Sequence, residues 1–343
     1  MLKAWYKKYA LKFKSPVLTS RGQMQYKNGY YLLLSDGHST GIGECSFIED
    51  LSVDDFNTYE AKLQEVCDAF ENGQLELEHD FSKHPSIAFG YETALLDYEN
   101  GGRKILYESD FTEGKAGIPI NGLVWMGDKD FMLRQIQQKL DEGFICIKIK
   151  VGAINFEDEL RLLSFIREQF PPEIIEIRLD ANGGFNATDV HEKLKRLAEF
   201  KIHSIEQPLK PGQFELMREL CATPVIPIAV DEELIAAPFG QKAEVLIDIK
   251  PQYAILKPSL LGGYSVCNDL IMEAGINNIG WWITSALESN IGLNAIAQWT
   301  AVLDSPMHQG LGTGSLYDNN VESPLFITEG MLAYNTSKSW GEV

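Results

Sequence analysis

Residues 145–150 read Ile-Cys-Ile-Lys-Ile-Lys, a run in which apolar side chains alternate with others. A period of two is typical of a β-strand, and it places Lys148 and Lys150 on one side of that strand and Ile147 and Ile149 on the other. Helix-like segments precede and follow the run, which is the setting of a buried parallel strand. Lysines are unfavourable there unless they have anionic partners. The fold must therefore bring anionic groups to this strand.

Charged residues end the next predicted strands at a nearly constant interval. Counted from Lys150, the residues Asp180, Glu206, Asp231 and Lys257 follow one another after 30, 26, 25 and 26 positions. Each closes a short apolar run, and segments with helical spacing lie between them. A repeated strand–helix unit closes most naturally into a barrel, whose active site lies at the carboxyl ends of the strands.

The sequence thus predicts an α/β protein with a TIM-like barrel of the (β/α)7β type over residues 116–315. Residues 119–123 are expected to form its first strand, and the glycine-rich residues 309–314 its eighth strand or turn. Residues 1–115 read as three strands followed by two helices, which indicates an α+β capping domain. The tail, residues 316–343, has no place in the repeat, and we expect it to pack back on the capping domain.

Composition excludes several classes of function. The chain has 343 residues and a formal net charge of −19, with no basic stripe to neutralise phosphates, so we expect neither nucleic-acid nor membrane binding. The five cysteines are scattered without a CxxC pair, which favours reduced thiols. No apolar run approaches membrane-spanning length and no signal-peptide pattern is present, so a cytoplasmic protein, a monomer or a homodimer, is expected.

The regularly spaced carboxylates predict a metal site. Asp180, Glu206 and Asp231 would repel one another at adjacent strand ends unless a cation relieved them, and a ligand set made of oxygen atoms suits Mg²⁺. Zinc is disfavoured because the set contains no histidine or cysteine. Lys150 and Lys257 flank the set, and a lysine beside Mg²⁺ and another lysine is expected to have a lowered pKa, as a general base requires.

Each of these charges, taken alone, is also explained as a solvated residue at the end of its strand. The common interval and the symmetric order Lys, Asp, Glu, Asp, Lys argue for one shared site instead. A serine nucleophile is not predicted, because Ser285 and Ser289 have no His–Asp partners at suitable barrel positions.

Five motifs occur in an order that resembles the enolase superfamily, in its muconate-lactonising-enzyme-like subgroup. They are Lys148-Ile149-Lys150, Leu179-Asp180-Ala181-Asn182-Gly183, Ile205-Glu206-Gln207-Pro208, Val230-Asp231-Glu232 and Leu256-Lys257-Pro258-Ser259-Leu260-Leu261-Gly262-Gly263. The resemblance covers the whole chain, and the N-terminal part resembles the capping domain of that superfamily.

The resemblance implies that the three carboxylates bind Mg²⁺, which holds the carboxylate of a small-molecule substrate. The step common to the superfamily removes the proton α to that carboxylate and gives an enediolate that the metal stabilises. Lys150 corresponds to the base, Lys148 is its electrostatic neighbour, and Lys257 faces the other side of the substrate. The capping loops 19–25 and 47–53 are expected to set specificity.

Within the subgroup, residues 284–292 and 310–314 resemble the o-succinylbenzoate synthase family. That family dehydrates 2-succinyl-6-hydroxy-2,4-cyclohexadiene-1-carboxylate to 2-succinylbenzoate in menaquinone biosynthesis. On this resemblance Lys150 takes a proton and returns it to the departing hydroxyl on the same face. Ser285, Gly312 and Thr313 are predicted to bind the substrate together with Lys148. Arg21, on the first capping loop, is a candidate to meet a second carboxylate, and a solvated arginine is the alternative.

Two other functions stay open at this stage. A racemase of N-succinylamino acids or an epimerase of dipeptides would use the same two lysines, one on each face of the substrate. The Asp-x-Asp pair typical of dipeptide epimerases is missing around Leu303-Asp304-Ser305 and residues 313–316, which disfavours the epimerase. A catalytically silent barrel is disfavoured because the Lys-Asp-Glu-Asp-Lys series is intact.

Overall fold

The computed structural model describes residues 2–19, 22–74, 80–125, 127–152 and 154–343, and for residues 16–19 and 129 the backbone alone. Arg21 therefore lies outside the described residues. The described part forms an N-terminal antiparallel sheet with two helices, a curved sheet of parallel strands flanked by helices, and a small sheet that contains the last two strands. None of its helices is both long and apolar enough to cross a membrane.

The N-terminal sheet has the order β1-β2-β3, and two helices cover one of its faces. Tyr30, Leu32 and Leu34 of the central strand alternate toward the helices and share a buried core with Leu63 and others. Its elements are β1 (Lys3–Thr19), β2 (Gly22–Ser35), β3 (Thr40–Ser46), α1 (Tyr59–Glu71) and α2 (Pro85–Glu99).

Glycine lets helix α2 lie directly on strand β3. A Cβ atom added to Gly43 would stand 1.9 Å from the carbonyl oxygen of Gly90, and one added to Gly41 would stand 2.3 Å from that of Ala94. No larger residue fits at either strand position without moving the helix. The two glycines therefore let α2 pack in direct backbone contact with β3.

The barrel follows the predicted alternation of strands and helices. Seven parallel strands are hydrogen-bonded in chain order, with helices between them. After β4 (Ile118–Pro119), the elements are β5 (Gly122–Val124), α3 (Lys129–Asp141), β6 (Cys146–Lys150), α4 (Phe156–Gln169), β7 (Glu176–Asp180), α5 (Val190–Ala198), β8 (Ser204–Glu206), α6 (Phe214–Ala222), β9 (Ile228–Val230), α7 (Glu232–Ala236), a 3₁₀ helix (Phe239–Gln241), α8 (Lys242–Ile249), β10 (Tyr253–Leu256), α9 (Pro258–Leu261), α10 (Gly263–Ile276), β11 (Gly280–Ile283) and α11 (Asn290–Leu303).

The ring of strands closes through the segment predicted as the eighth strand. Gln309 forms a parallel bridge with Ile120, and Gly310 forms one with Thr284 at the end of β11. This closure confirms the (β/α)7β fold class. The predicted first strand, residues 119–123, takes part on both sides: Gln309 bonds the backbone of Pro119 and Asn121, and Gly122 begins the stretch that pairs with β6. Pro119 has no N–H group to donate, but its carbonyl accepts from the Gln309 N–H over 2.8 Å.

The end of the chain contacts both parts of the molecule. A hairpin of β12 (Leu325–Thr328) and β13 (Met331–Tyr334) pairs with β4 at the start of the barrel. Upstream of the hairpin, the Lys14 N–H donates to the carbonyl of Leu316, and the Asp318 N–H donates to that of Lys12, both over 2.9 Å. The exact division at residues 115 and 315 stays a prediction.

Candidate active site

The charged residues singled out by their spacing meet at the carboxyl ends of the barrel strands. Parallel pairing sets Lys150 beside Asp180 and Asp180 beside Glu206, so one register aligns three strand ends. Asp231 and Lys257 follow directly after β9 and β10. All five are buried or nearly so, as is Lys148. The apolar partners Ile147 and Ile149 point the other way, into the core under the helices, as the period of two requires.

Ion pairs join these side chains. Lys148 Nζ lies 2.8 Å from Asp180 Oδ2 and 2.5 Å from Glu206 Oε2. Lys150 Nζ lies 2.6 Å from the same Asp180 oxygen and donates to Asn182 Oδ1 over 2.7 Å. On the far side, Lys257 Nζ forms a close ion pair with Asp231. The anionic partners that Lys148 and Lys150 need are therefore the predicted ones.

Two carboxylate oxygens at this site are buried without a hydrogen bond. Glu206 Oε1 and Asp231 Oδ1 accept none from any described residue, although each belongs to a side chain at most 2% exposed. Leaving a buried acceptor unpaired costs about 1–3 kcal/mol, and more when it is charged. A cation is the partner that oxygen atoms of this kind accept, so the residues present fit a divalent ion.

The three carboxylates do not form a compact ligand cluster as they stand. Among the described residues, the triplet of His, Cys, Asp or Glu whose ligand atoms all lie within 4.8 Å of one another is Cys146, Glu176 and His308, at the opposite end of the barrel. The ammonium group of Lys148 lies between Asp180 and Glu206 instead. A metal ion held by all three carboxylates would therefore require their ligand atoms to draw closer together.

Protonation at the site is set by a balance between burial and pairing. Burial favours the neutral form of Lys148, but attraction to Asp180 and Glu206 outweighs it and raises the pKa of that lysine. Attraction to Asp231 likewise outweighs burial at Lys257 and raises its pKa, whereas the lowering was predicted for Lys150 and Lys257 with Mg²⁺ beside them. Burial together with the nearby Asp180 raises the pKa of Glu206, and burial raises that of Asp231.

A cavity of about 430 Å³ lies over these groups, between the capping domain and the barrel. Its floor includes all three lysines of the site. Residues 22–28 and 47–51 of the capping domain form part of its wall, which agrees with the two predicted capping segments. The first segment is correct in position but wrong in form, because residues 22–25 belong to strand β2 and not to a loop.

The predicted substrate-binding residues of the barrel also line this cavity. Ser285, Gly312 and Thr313 all contribute to it. The Ser285 hydroxyl donates to Glu288 over 2.5 Å and lies 2.7 Å from the Thr313 hydroxyl, so its position is fixed. The remaining substrate-binding residue of the prediction, Arg21, is the one that the structure does not describe.

Asn182, Glu232 and Lys27 are among the cavity residues absent from the predicted set of site residues. Asn182 has a positive φ of 42° and donates from its amide to Glu232, 2.9 Å away, while its oxygen holds Lys150. Asn182 could have been found from the sequence, because it lies only two positions after the strand-end residue Asp180. The third residue, Lys27, gave no such signal, since it lies in a polar stretch without a clear period.

Comparison with known proteins identifies the family. Residues 132–340 match the enolase C-terminal domain-like family, and residues 1–98 match the MenC N-terminal domain family. A protein named o-succinylbenzoate synthase from Desulfotalea psychrophila is 43% identical over 95% of this chain and 97% of its own. The chain belongs to the o-succinylbenzoate synthase family of the enolase superfamily.

Solved structures of this family share the fold over nearly the whole chain. The crystal structure of MenC from Desulfotalea psychrophila superimposes with a TM-score of 0.85 at 40% identity, covering 97% of this chain and 99% of that one. The o-succinylbenzoate synthase from Thermosynechococcus elongatus BP-1, complexed with magnesium in its active site, gives 0.78 at 24% identity, with 95% and 96% covered. The second likeness shows the fold alone.

Proposed function

We propose that this protein is an o-succinylbenzoate synthase. It would dehydrate 2-succinyl-6-hydroxy-2,4-cyclohexadiene-1-carboxylate to 2-succinylbenzoate. The observation that carries the proposal is one cavity that presents Lys150 and Lys257 beside three buried carboxylates, in a chain 43% identical to a named synthase. The substrate is a small carboxylic acid that such a cavity could hold. The proton to be removed is the one α to its ring carboxylate.

Magnesium is the proposed resident ion, held by Asp180, Glu206 and Asp231. The two unpaired buried oxygens and the purely oxygen ligand set support it, as does the magnesium in the active site of the Thermosynechococcus elongatus synthase. When bound, the ion would supply positive charge beside the substrate carboxylate, where negative charge develops during proton removal.

Lys150 is the proposed base and acid. Asp180 and Asn182 hold its Nζ from the same strand end, so the amine has a fixed position at the cavity floor. The neutral amine would take the α-proton, the ring C–O bond would then break, and the new ammonium would return the proton to the departing hydroxyl as water. One group on one face does both, which gives syn elimination and an aromatic ring.

Lys257 is proposed to act as a cation. It is 9% exposed and ion-paired with Asp231, on the side of the site away from Lys150. A fixed ammonium there would stabilise the negative charge that spreads over the carboxylate and the ring. In the racemase alternative the same group would instead deliver a proton to the opposite face.

Substrate class decides between these two reactions. Purified protein with Mg²⁺ is offered the cyclohexadiene acid and, separately, N-succinylamino acids in deuterated water, and products are followed by mass. We expect the aromatic product, and no deuterium at the α-carbon of the amino acids. Deuterium in the amino acids without dehydration would reject the synthase and leave the racemase in its place.

The metal is tested by thermal unfolding with and without chelator. At a concentration about 100 times its Kd, Mg²⁺ should stabilise the wild type by about 2.7 kcal/mol. Asp231→Asn should lose this response. The matched control is Asp248→Asn, a half-exposed helix residue paired with Arg218, which should keep it. An equal response in both variants would place the ion elsewhere.

A further inference from the structure

One buried lysine of the cavity wall has no part in the mechanism above. Lys27 belongs to strand β2 of the capping domain and is 1% exposed. It lies on the face of the sheet that points to the barrel, with Tyr31, and lines the same cavity as Lys150 and Lys257. The capping domain thus contributes a cation of its own to the site.

The surroundings of Lys27 differ from those of the barrel lysines. Its Nζ donates to Ser46 Oγ over 2.7 Å and to the carbonyl of Asn28 over 3.3 Å, and it stands 5.6 Å from the ring centre of Phe47. In the described part of the chain no carboxylate lies within the 4.0 Å of an ion pair with it. Lys148, by contrast, has two such carboxylates.

A buried ammonium without a counterion is unfavourable. Burial lowers the pKa of Lys27 to about 8, although Glu44, Glu288, Asp54 and Glu49 attract the charge from a distance. An ammonium group has three N–H donors, and the described partners accept from two of them. Lys27 therefore has one N–H donor left for which no described residue supplies an acceptor.

We infer that Lys27 binds the second carboxylate of the substrate, at the end of its succinyl arm. This rests on the proposed function, whose substrate carries one carboxylate on the ring and another on the arm. With the ring carboxylate beside the Mg²⁺ ion proposed at the three acidic residues of the barrel, the arm would extend across the cavity to the capping domain. Lys27 then selects substrates that carry two carboxylates.

The test compares two ligands that differ in that carboxylate alone. One is 2-succinylbenzoate, and the other is its analogue with a primary amide at the end of the arm. Binding is measured by calorimetry with Mg²⁺ on the wild type, on Lys27→Met and on Lys62→Met. Lys62 is the matched control, because it is also a nearly buried lysine of the capping domain over an aromatic ring, 5.3 Å from Phe81, but lies away from the cavity.

Lys27→Met should weaken binding of 2-succinylbenzoate by at least about 30-fold, because a buried charge pair is lost. Binding of the amide should change by less than about threefold, and Lys62→Met should alter neither. In turnover assays KM should rise with Lys27→Met while kcat stays within about threefold, since the arm is remote from the reacting bonds.

Several outcomes overturn the inference. Equal losses for both ligands would show that Lys27 merely supports the structure, and no loss for either would show that it does not touch the arm. If Lys27→Met does not fold, the wild type decides, because equal Kd values for acid and amide exclude recognition of the carboxylate. A wild type that binds the acid preferentially but forms no aromatic product would reject the proposed function and not Lys27.

Discussion

Both ends of the barrel contain buried charged groups, but the partners of these groups differ between the two ends. At the upper end, where the strands finish, carboxylate oxygens of Glu206 and Asp231 stay unpaired beneath a cavity. At the lower end, where the strands begin, Arg178 is 1% exposed and donates from Nε to Glu176 over 2.7 Å. At the lower end Arg178 and Glu176 neutralise each other, although Arg178 Nη2 has no hydrogen-bond acceptor among the described residues, whereas the unpaired atoms of the upper end are carboxylate oxygens.

The lower end shows that ligand-like geometry is not sufficient for a metal site. Cys146, Glu176 and His308 bring their ligand atoms within 4.8 Å of one another. A guanidinium already occupies this cluster, however, because Arg178 also donates from Nη1 to the His308 carbonyl over 2.7 Å and stacks 4.1 Å from the ring centre of Trp282. A second cation there would be repelled. We interpret the lower cluster as structural and the upper one as functional.

The largest expected difference between the two ends is in catalysis. Lys150→Ala at the upper end should lower kcat by about 10³-fold, because it removes the proposed acid and base, while the thermal midpoint stays near that of the wild type. Formation of 2-succinylbenzoate from the cyclohexadiene acid is the measurement. The control is Lys195→Ala, an exposed lysine of α5, which should keep full activity. Retention of more than about a tenth of kcat by Lys150→Ala would reject its role.

The reverse effect is expected at the lower end. Arg178→Met should destabilise the fold by about 3–5 kcal/mol, since it leaves Glu176 without its partner, whereas kcat per folded molecule should change little. Urea unfolding and active-site titration measure the two quantities. Arg161→Met, at an exposed ion pair on α4, should cost less than about 0.5 kcal/mol. If Arg178→Met abolished turnover by a folded protein, the division of roles between the two ends would fail.

The repeat of charged strand ends could be predicted from sequence because a parallel barrel turns a linear interval into a spatial ring. The period of two further fixed which side of β6 faces inward. The same logic applied to β7 would have revealed Arg178, which stands two positions before Asp180 and shares its side of the strand. The period of two predicts the side of the strand on which a residue lies, however, and not its depth within the barrel. Charges at the upper and lower ends therefore give the same sequence pattern.

The two capping segments were predicted, but the burial of single residues between the domains could not be, because it depends on how separate layers pack. Lys27 lies in a stretch that reads as polar and aperiodic, and its burial arises when β2 faces the barrel. The pKa of Lys148 depends on packing in the same way. Its neighbours were known, but the distances of 2.8 and 2.5 Å to two carboxylates decide that attraction exceeds burial. Packing distances of this kind follow from the folded chain alone.

The smallest effect sharpens the lower end further. Burial lowers the pKa of His203 and of His308, and the charge of Arg178 lowers it again, while Glu176 opposes the change. An unfolded histidine takes up a proton near pH 6.5, so the unfolded state binds more protons than the folded one as the pH falls below that value. Stability is therefore present above about pH 6.5 and declines toward pH 5.

In urea unfolding at pH 7.5 and pH 5.5, His308→Gln should flatten this decline by less than about 1 kcal/mol, because the ring is partly exposed. His191→Gln, at an exposed helix position, should leave the slope as in the wild type. A decline unchanged by His308→Gln would mean that His308 takes up a proton as easily in the folded protein as in the unfolded chain. The interpretation of the lower cluster as a closed, self-neutralising structure would then have to be given up.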